Sequence, residues 1–158
     1  MQTGGSLKLI DLNDLRECDA AYLAGLIDAD GTVTLTRKHL GATRHAAVTI
    51  SNTNRKLLEF VAETVGAGKI TSKRAVRKSH SSSFVFSIYN RQALDLLRAI
   101  HPYLHTYKAR RAELILSDYL QLTPRSGKYG KESKLARRNF EKAVLGIKPN
   151  GVGRHSES

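Results

Sequence analysis

The spacing of apolar residues changes at Gly31, and this change constrains the fold more than any other feature of the sequence. Before it, Asp19 to Asp28 places good helix formers behind an aspartate suited to cap a helix, which predicts a helix. Gly31 is expected to end that helix, as a residue free to take a positive φ often does. After it, Thr32 to Lys38 alternates polar residues with Val33 and Leu35, which predicts a half-buried strand.

The same two periods recur along the rest of the chain. Further strands are predicted at residues 44–51, 69–76 and 82–89, helices at 54–65, 91–100 and 107–122, and a weaker helix at 132–145. The order α-β-β-α-β-β-α predicts an α+β fold in which helices cover one face of a four-stranded antiparallel sheet, with more helices at the C-terminal end. The other face carries Thr, Ser and Lys and is free to meet a partner.

The length of 158 residues favours one domain with one core. We place its boundary at residue 122, because residues 123–158 form a polar, basic extension whose GVGRHSES end is expected to be disordered. A single cysteine, Cys18, excludes an internal disulfide and favours a reducing compartment. Without a signal peptide pattern or a membrane-span pattern, we expect an unsecreted protein in a prokaryotic cytoplasm or nucleoid, or in an organelle.

The charge is unevenly distributed. The formal net charge is +12, yet residues 1–30 hold six acidic and only two basic side chains. Residues 31–58 and 64–94 contain no Asp or Glu at all. Such basic tracts favour a nucleic acid partner, although a solvated basic surface or attraction to anionic lipid would produce the same composition.

Residues 23–31 read LAGLIDADG. The stretch resembles, without a mismatch, the motif of the LAGLIDADG homing endonuclease family, and in particular of its short single-motif members, which act as homodimers. The predicted element order is similar to that family's fold through about residue 122. The resemblance implies a site-specific endonuclease that cuts both strands of a long pseudo-palindromic DNA target, leaves 3′ overhangs and promotes the mobility of an intron or intein.

The motif also makes physical sense at a helix end. Asp30 lies at the negative end of the helix dipole beside Asp28, where two acids are unfavourable unless a cation joins them. A glycine within a helix costs about 1 kcal/mol relative to alanine, so Gly25 suggests close approach of a second helix. If the small face of Ala21, Gly25 and Asp28 packs against its twofold mate, two Asp30 carboxylates meet at a site suited to Mg²⁺.

The resemblance assigns further roles. It makes Asp30 the metal ligand, assisted by the main-chain carbonyl of Ala29, with Mg²⁺ or Mn²⁺ as the ion, and it makes Asp28 structural in the helix pair. Supporting polar and basic positions match Asn52, Arg55 and Lys108, which would order solvent near the metal or steady the phosphate charge. For Lys108, a solvated lysine at a helix start is the alternative.

The polar parity of the strands predicts the DNA contacts, because a two-stranded ribbon can enter the major groove and read base edges. The residues predicted to contact DNA are Thr32, Thr34, Thr36, Lys38, Arg44, His45, Thr49, Ser51, Thr71, Lys73, Arg77, Ser83 and Ser87. A second interpretation uses the same fold without cleavage, as a maturase that binds intron RNA or as a DNA-binding regulator. The intact Asp30 favours the nuclease.

Overall fold

The computed structural model describes residues 15–73 and 82–149. In chain order its elements are α1 (Glu17–Asp30), β1 (Gly31–Thr36), β2 (His45–Asn52), α2 (Arg55–Val65), β3 (Lys69–Lys73), β4 (Ser83–Tyr89), α3 (Asn90–Ile100), a 3-10 turn (His101–Tyr103), α4 (Tyr107–Asp118) and α5 (Lys131–Gly146). The predicted α+β fold is confirmed. The expected turn near Arg77 and the expected disorder at the C-terminus fall outside the described residues. Across the described ranges, no helix is long and apolar enough to cross a membrane.

The four strands form one antiparallel sheet in the order β1-β2-β4-β3. Val33 pairs with Val48, and Val48 pairs with Ile88, so the apolar side chains of neighbouring strands lie on the same face. All three are at most 1% exposed beneath the helices. The opposite face, which we call the open face, carries a polar row running Thr32, Thr49, Ser87, Lys69 from one edge of the sheet to the other.

The junction between α1 and β1 differs from the prediction. The helix begins at Glu17, and Asp19 pairs with Arg16 at 2.9 Å in the first turn instead of capping the N-terminus. Gly31 has a φ of −103°, which is extended and not left-handed. A glycine is needed there for a different reason: a Cβ would lie 2.6 Å from the Cα of Ile27, so the chain can turn from helix into strand only without a side chain.

Helix α4 is shorter than predicted, because it ends at Asp118 instead of residue 122. In a longer helix, backbone N–H groups would bind the carbonyls of the last turn, but here side chains bind them instead. The hydroxyl of Thr123 donates to the carbonyl of Tyr119, and the guanidinium of Arg137 donates to that of Leu122 at 3.2 Å. The chain therefore leaves the helix in a turn that leads to α5.

Helix α5 packs against β1 and α4, and its Phe140 and Val144 belong to the same hydrophobic core as the sheet. The neighbouring Arg137 is only 3% exposed. Its guanidinium lies 4.8 Å from the ring of Tyr119 and also donates to the carbonyl of Arg44. The core is therefore continuous from the motif helix to α5, which closes the β1 side of the sheet.

This packing makes a test of α5 possible. Phe140→Ala should lower the free energy of unfolding by about 3–5 kcal/mol, because it opens a cavity in the core. Leu135→Ala on the same helix, where the side chain is 60% exposed, should change it by less than about 0.5 kcal/mol. Urea denaturation of both variants measures the difference. Equal stabilities would show that α5 does not share the cooperative core.

Candidate active site at the end of the motif helix

Asp30 is the last residue of α1, and its side chain is exposed. The amide of Asn52 lies beside it, with Nδ2 at 3.4 Å from the carboxylate. The sheet explains this meeting, because Gly31 pairs with Ile50 and Asn52 follows two residues later on the helix-covered face. The oxygen of the same amide accepts a hydrogen bond from the backbone N–H of Asn54 at 2.8 Å, which fixes its orientation. The structure thus brings together two of the predicted site residues.

Lys108 has a different role from either expectation. Its side chain is buried, and its ammonium donates to the carbonyls of Ile27 at 2.8 Å and Asp28 at 2.9 Å. A cation here satisfies carbonyls that the end of a helix leaves free and complements the helix dipole. Burial lowers the pKa of Lys108, while the nearby carboxylates of Asp28 and Asp30 oppose that shift. Lys108 therefore fixes the end of α1 from inside the molecule and does not face solvent.

Asp28 also contacts its own chain. Its carboxylate accepts hydrogen bonds from the backbone N–H of His105 at 2.8 Å, the N–H of Thr106 at 3.2 Å and the Thr106 hydroxyl at 2.6 Å. Thr106 in turn caps the N-terminus of α4. The carboxylate thus ties α1 to α4 within one chain, whereas the sequence suggested that it holds a helix pair. Burial opposes ionisation of Asp28, but these hydrogen bonds and the charge of Lys108 outweigh it and lower the pKa.

The other side of α1 remains uncovered. Ala21 and Gly25 are exposed, and a Cβ placed on Gly25 would meet nothing within 4 Å. The opposite side of the helix buries Leu23, Ala24 and Ile27 in the core. A helix that is apolar on all sides is usually buried on all sides, so the small, exposed side of α1 is unusual for a helix of this composition. Among the described residues of one chain, no contact requires a glycine at position 25.

Arg55 is not brought to the acid. Its guanidinium forms an ion pair with Glu59 at 3.0 Å and lies 5.4 Å from the centre of the Phe84 ring. Glu59 belongs to α2 and Phe84 lies near the start of β4, so both partners are on the helix-covered side of the sheet. The contacts of Arg55 therefore stabilise the start of α2, and the predicted role beside the metal has no contact in its support.

Most of the predicted DNA contacts lie on the open face or at its rim. Those that are exposed or half-exposed there are Thr32, Thr34, Thr36, Lys38, His45, Thr49, Ser51, Thr71, Lys73 and Ser83. Arg77 lies outside the described residues. Two predictions meet difficulties: Ser87 is only 9% exposed, because it lies between Thr49 and Lys69 in the middle of the sheet.

Arg44 is the second of these. Its guanidinium donates to the carbonyl of Leu35 at 3.3 Å, and its backbone N–H donates to the carboxylate of Glu141 at 2.7 Å. The residue therefore joins the β1–β2 hairpin to α5. The partly buried His45 beside it has a pKa lowered by burial and by the charges of Lys38 and Arg137, which disfavours the charged form of its ring.

Two open-face residues were missed. Lys69 pairs across the strands with Ser87, and Tyr89 pairs with Ala47 while its ring lies 5.5 Å from that of His45. Both share the parity of residues that were predicted on β3 and β4. Parity alone would therefore have found them.

The donors that one chain offers a metal are few. Among the described residues, no three His, Cys, Asp or Glu side chains lie close enough to form a site. The Asp30 carboxylate is the exposed oxygen donor at this point, and the carbonyl of Ala29 follows directly after the two that Lys108 binds. Oxygen donors of this type suit Mg²⁺, which takes one or two carboxylates and completes its shell with water and phosphate.

The Asp28 contacts predict an acid-dependent stability. Because the folded state lowers the pKa, the carboxylate stabilises the fold fully above the unfolded-state pKa of about 3.9 and loses this effect as the pH falls through the folded-state pKa. Asp28→Asn should cost about 1–3 kcal/mol at neutral pH, and its difference from the parent should shrink in acid. Urea denaturation across this pH range measures both.

Asp95→Asn is the matched control, since Asp95 forms an i,i+3 surface pair with Arg98 at 2.8 Å. Such pairs contribute about 0–1 kcal/mol. A difference between Asp28→Asn and the parent that persists unchanged in acid would contradict the assignment of these hydrogen bonds to the ionised carboxylate.

Comparison with known proteins agrees with this geometry. The model of the LAGLIDADG-like domain family matches residues 17–113, which is more than half of the chain. The search of curated protein sequences found no match to this chain. Among solved structures, the homing endonuclease I-CvuI in complex with its target in the presence of calcium has a TM-score of 0.66 at 18% identity, covering 91% of this chain and 88% of that chain.

Two other structures extend the comparison. The archaeal intron-encoded homing endonuclease I-Vdi141I complexed with DNA has a TM-score of 0.56 at 14% identity, covering 88% of this chain and 89% of that chain. The endonuclease I-SmaMI bound to cleaved DNA has a TM-score of 0.58 at 20% identity, and the match covers 85% of this chain but 45% of that chain. These similarities establish the fold, and the match over residues 17–113 shows that the chain belongs to the LAGLIDADG-like domain family.

Proposed function

We propose that the protein is a homodimeric, divalent-metal-dependent DNA endonuclease that cuts a long pseudo-palindromic site and thereby promotes the mobility of an intron or intein. The observation that carries this proposal is the exposed Asp30 carboxylate. It ends a helix whose last turn is fixed from inside by Lys108, and it lies at the edge of a sheet with an open polar face. A protein that only binds DNA has no use for an acid that would face phosphate.

The fixed helix end supports the catalytic part of the proposal. Lys108 and the Asp28 contacts hold the backbone of residues 27 and 28, directly before Ala29, so the Asp30 side chain starts from a fixed position. Asn52 adds an amide whose donor reaches the carboxylate and can also orient a water molecule. A divalent ion bound there would supply a more acidic water and neutralise charge at the scissile phosphate.

The uncovered side of α1 supports the dimer. One chain offers a single acid at this end, and pairing the Ala21 and Gly25 faces about a twofold axis brings a second Asp30 to the first. The match covers 88% of the I-CvuI chain but 45% of the I-SmaMI chain, so the longer chain has room for two units of this fold, which two copies of this chain would supply together. A dimer also doubles the open face into a surface for about two turns of DNA.

The open face supports DNA as the substrate. Threonine and serine hydroxyls with Lys69 and Lys73 line it, and such groups bind base edges and phosphates in the major groove. The structures of similar fold named above are complexes with DNA, and a further structure of I-CvuI holds uncleaved DNA in the presence of magnesium at a TM-score of 0.67. For these reasons the proposal names DNA as the substrate.

Asp30→Asn tests the acid. The substitution should lower the rate of double-strand cleavage by at least about a hundredfold, because it removes a metal ligand, and it should leave DNA affinity nearly unchanged. Cleavage is measured with Mg²⁺ on a cloned intron-free or intein-free copy of the host locus, and affinity by fluorescence anisotropy. Asp95→Asn serves as the control, because it removes one negative charge on α3 away from the motif.

The same assay can overturn the proposal. Cleavage by Asp30→Asn at the parent rate would remove the assignment of the acid. A parent protein that fails to cut the locus, yet binds the intron transcript tightly, would establish the non-cleaving alternative.

Gly25→Leu tests the dimer. A leucine on each of two facing helices should force them apart and cost about 2 kcal/mol or more across both copies, which weakens the dimer by tens of fold. Gly146→Leu is the control, since a Cβ there also meets nothing within 4 Å. Sedimentation equilibrium measures the association. An unchanged dimer in Gly25→Leu would contradict the small-face interface.

A further inference from the structure

A second basic region lies at the far end of the β1–β2 hairpin. The connection between these strands and helix α5 line an open cavity of about 390 Å³, which is the size of a small-ligand pocket. Its charged lining consists of Arg37, Lys134, Arg137, Arg138 and Glu141. Helix α5 lies beyond residues 17–113, so this cavity is partly built by a segment outside the family match.

The cationic groups of the cavity divide into fixed and free ones. Arg137 is 3% exposed and holds the backbone of the hairpin and of the α4–α5 turn, so it gives the cavity a rigid positive wall. Its Nε is buried and has no hydrogen-bond partner. Lys134 and Arg138 stand one helical turn apart on α5, and both are exposed at the rim together with Arg37. An anion entering the cavity would meet cations from two sides.

The single carboxylate of the lining does not cancel this charge. Glu141 accepts a hydrogen bond from the backbone N–H of Arg44 at 2.7 Å and lies 3.7 Å from Nε of Arg137. The Glu141 carboxylate is therefore held by the Arg44 backbone and by Arg137. Arg137 and Glu141 offset each other, so the positive charge of the lining comes from Arg37, Lys134 and Arg138, and Tyr129 is a further lining residue. This donor set suits a phosphate group.

The cavity also adjoins the open face. The backbone of Arg44 binds Glu141 through its N–H and Arg137 through its carbonyl, and the next residue, His45, is the first of β2 on the open face. The cavity is lined by the loop that joins the two strands, so a duplex along the open face that continues past this end of the hairpin comes beside it. A backbone phosphate is the anion that such a duplex presents there.

We propose that this cavity is a phosphate-binding site that holds one backbone phosphate of the bound DNA at the outer end of each half-site. The inference rests on the proposed function, because it takes the DNA to lie on the open face. It adds a contact from α5, a helix to which the sequence assigns no role in binding. The other source of the same chemistry is a free polyphosphate, and the experiment separates the two.

The test compares two double variants of the full chain. Lys134→Ala/Arg138→Ala removes the free cations of the cavity, and Lys56→Ala/Arg91→Ala removes two exposed cations from α2 and α3 on the helix-covered side of the sheet. Anisotropy with a random-sequence duplex measures how log K changes with log salt concentration. Loss of one phosphate contact should reduce the magnitude of this slope by about 0.9 per protomer. Calorimetric titration with inorganic tripolyphosphate should weaken at least tenfold for the cavity variant only.

Each outcome decides the inference. Equal slopes for the two double variants overturn the DNA contact, and loss of tripolyphosphate binding alone would then assign the site to a free polyphosphate. No loss in either measurement shows that the cavity holds no phosphate. Neither measurement involves cleavage, so both are independent of the Asp30→Asn result. A parent protein that binds no duplex would contradict the proposed function itself.

Discussion

The ammonium of Lys108 on the last carbonyls of α1 is the contact on which the rest of the candidate site depends. It joins residues about 80 positions apart in the chain, since it binds the carbonyls of Ile27 and Asp28 from the start of α4. Hydrogen bonds to charged groups contribute about 1.5–3 kcal/mol, and the ammonium could not remain buried without them. Asp28 adds a second connection between the two helices, because its carboxylate accepts hydrogen bonds from residues of the loop before α4. The chain thereby holds the end of a helix rigid while leaving Asp30 outside.

This arrangement resolves an electrostatic conflict. Two acids at the negative end of a helix repel each other and the helix dipole. The fold neutralises one of them internally, through Lys108 and the N–H groups of His105 and Thr106, and leaves the other free for an external cation. The excess positive charge of the chain lies elsewhere, on the strands and on α5. A polyanion can therefore lie over a broad basic surface, with the exposed carboxylate of Asp30 at the edge of the sheet.

Much of the fold could be predicted from sequence, because the helices and strands repeat apolar residues with clear periods and the sheet is covered on one face only. The meeting of Asp30 and Asn52 also follows from element order and parity. The role of Lys108 could not be predicted, because its partners are backbone carbonyls far away in the chain, and no side-chain pattern encodes them. Arg44 illustrates the same limit: it is a basic residue at the start of β2 and was predicted to contact DNA, yet its contacts tie a hairpin to α5. The contribution of α5 to the core could not be predicted from composition either, because Phe140 and Val144 are its only residues in the core cluster and most of their neighbours in the sequence are charged or polar.

The central claim is that the fixed end of α1 presents Asp30 to a second copy of itself across paired small faces. The most direct measurement is disulfide trapping of Ala21→Cys in a Cys18→Ser background under mild oxidation. Because disulfides form only where Cα atoms approach within about 7 Å, a rapidly formed, covalently linked dimer is predicted for this variant. Leu135→Cys, on an exposed part of α5, should remain monomeric on denaturing gels under the same conditions. Equal and slow linkage of the two variants would show that the motif helices do not pair.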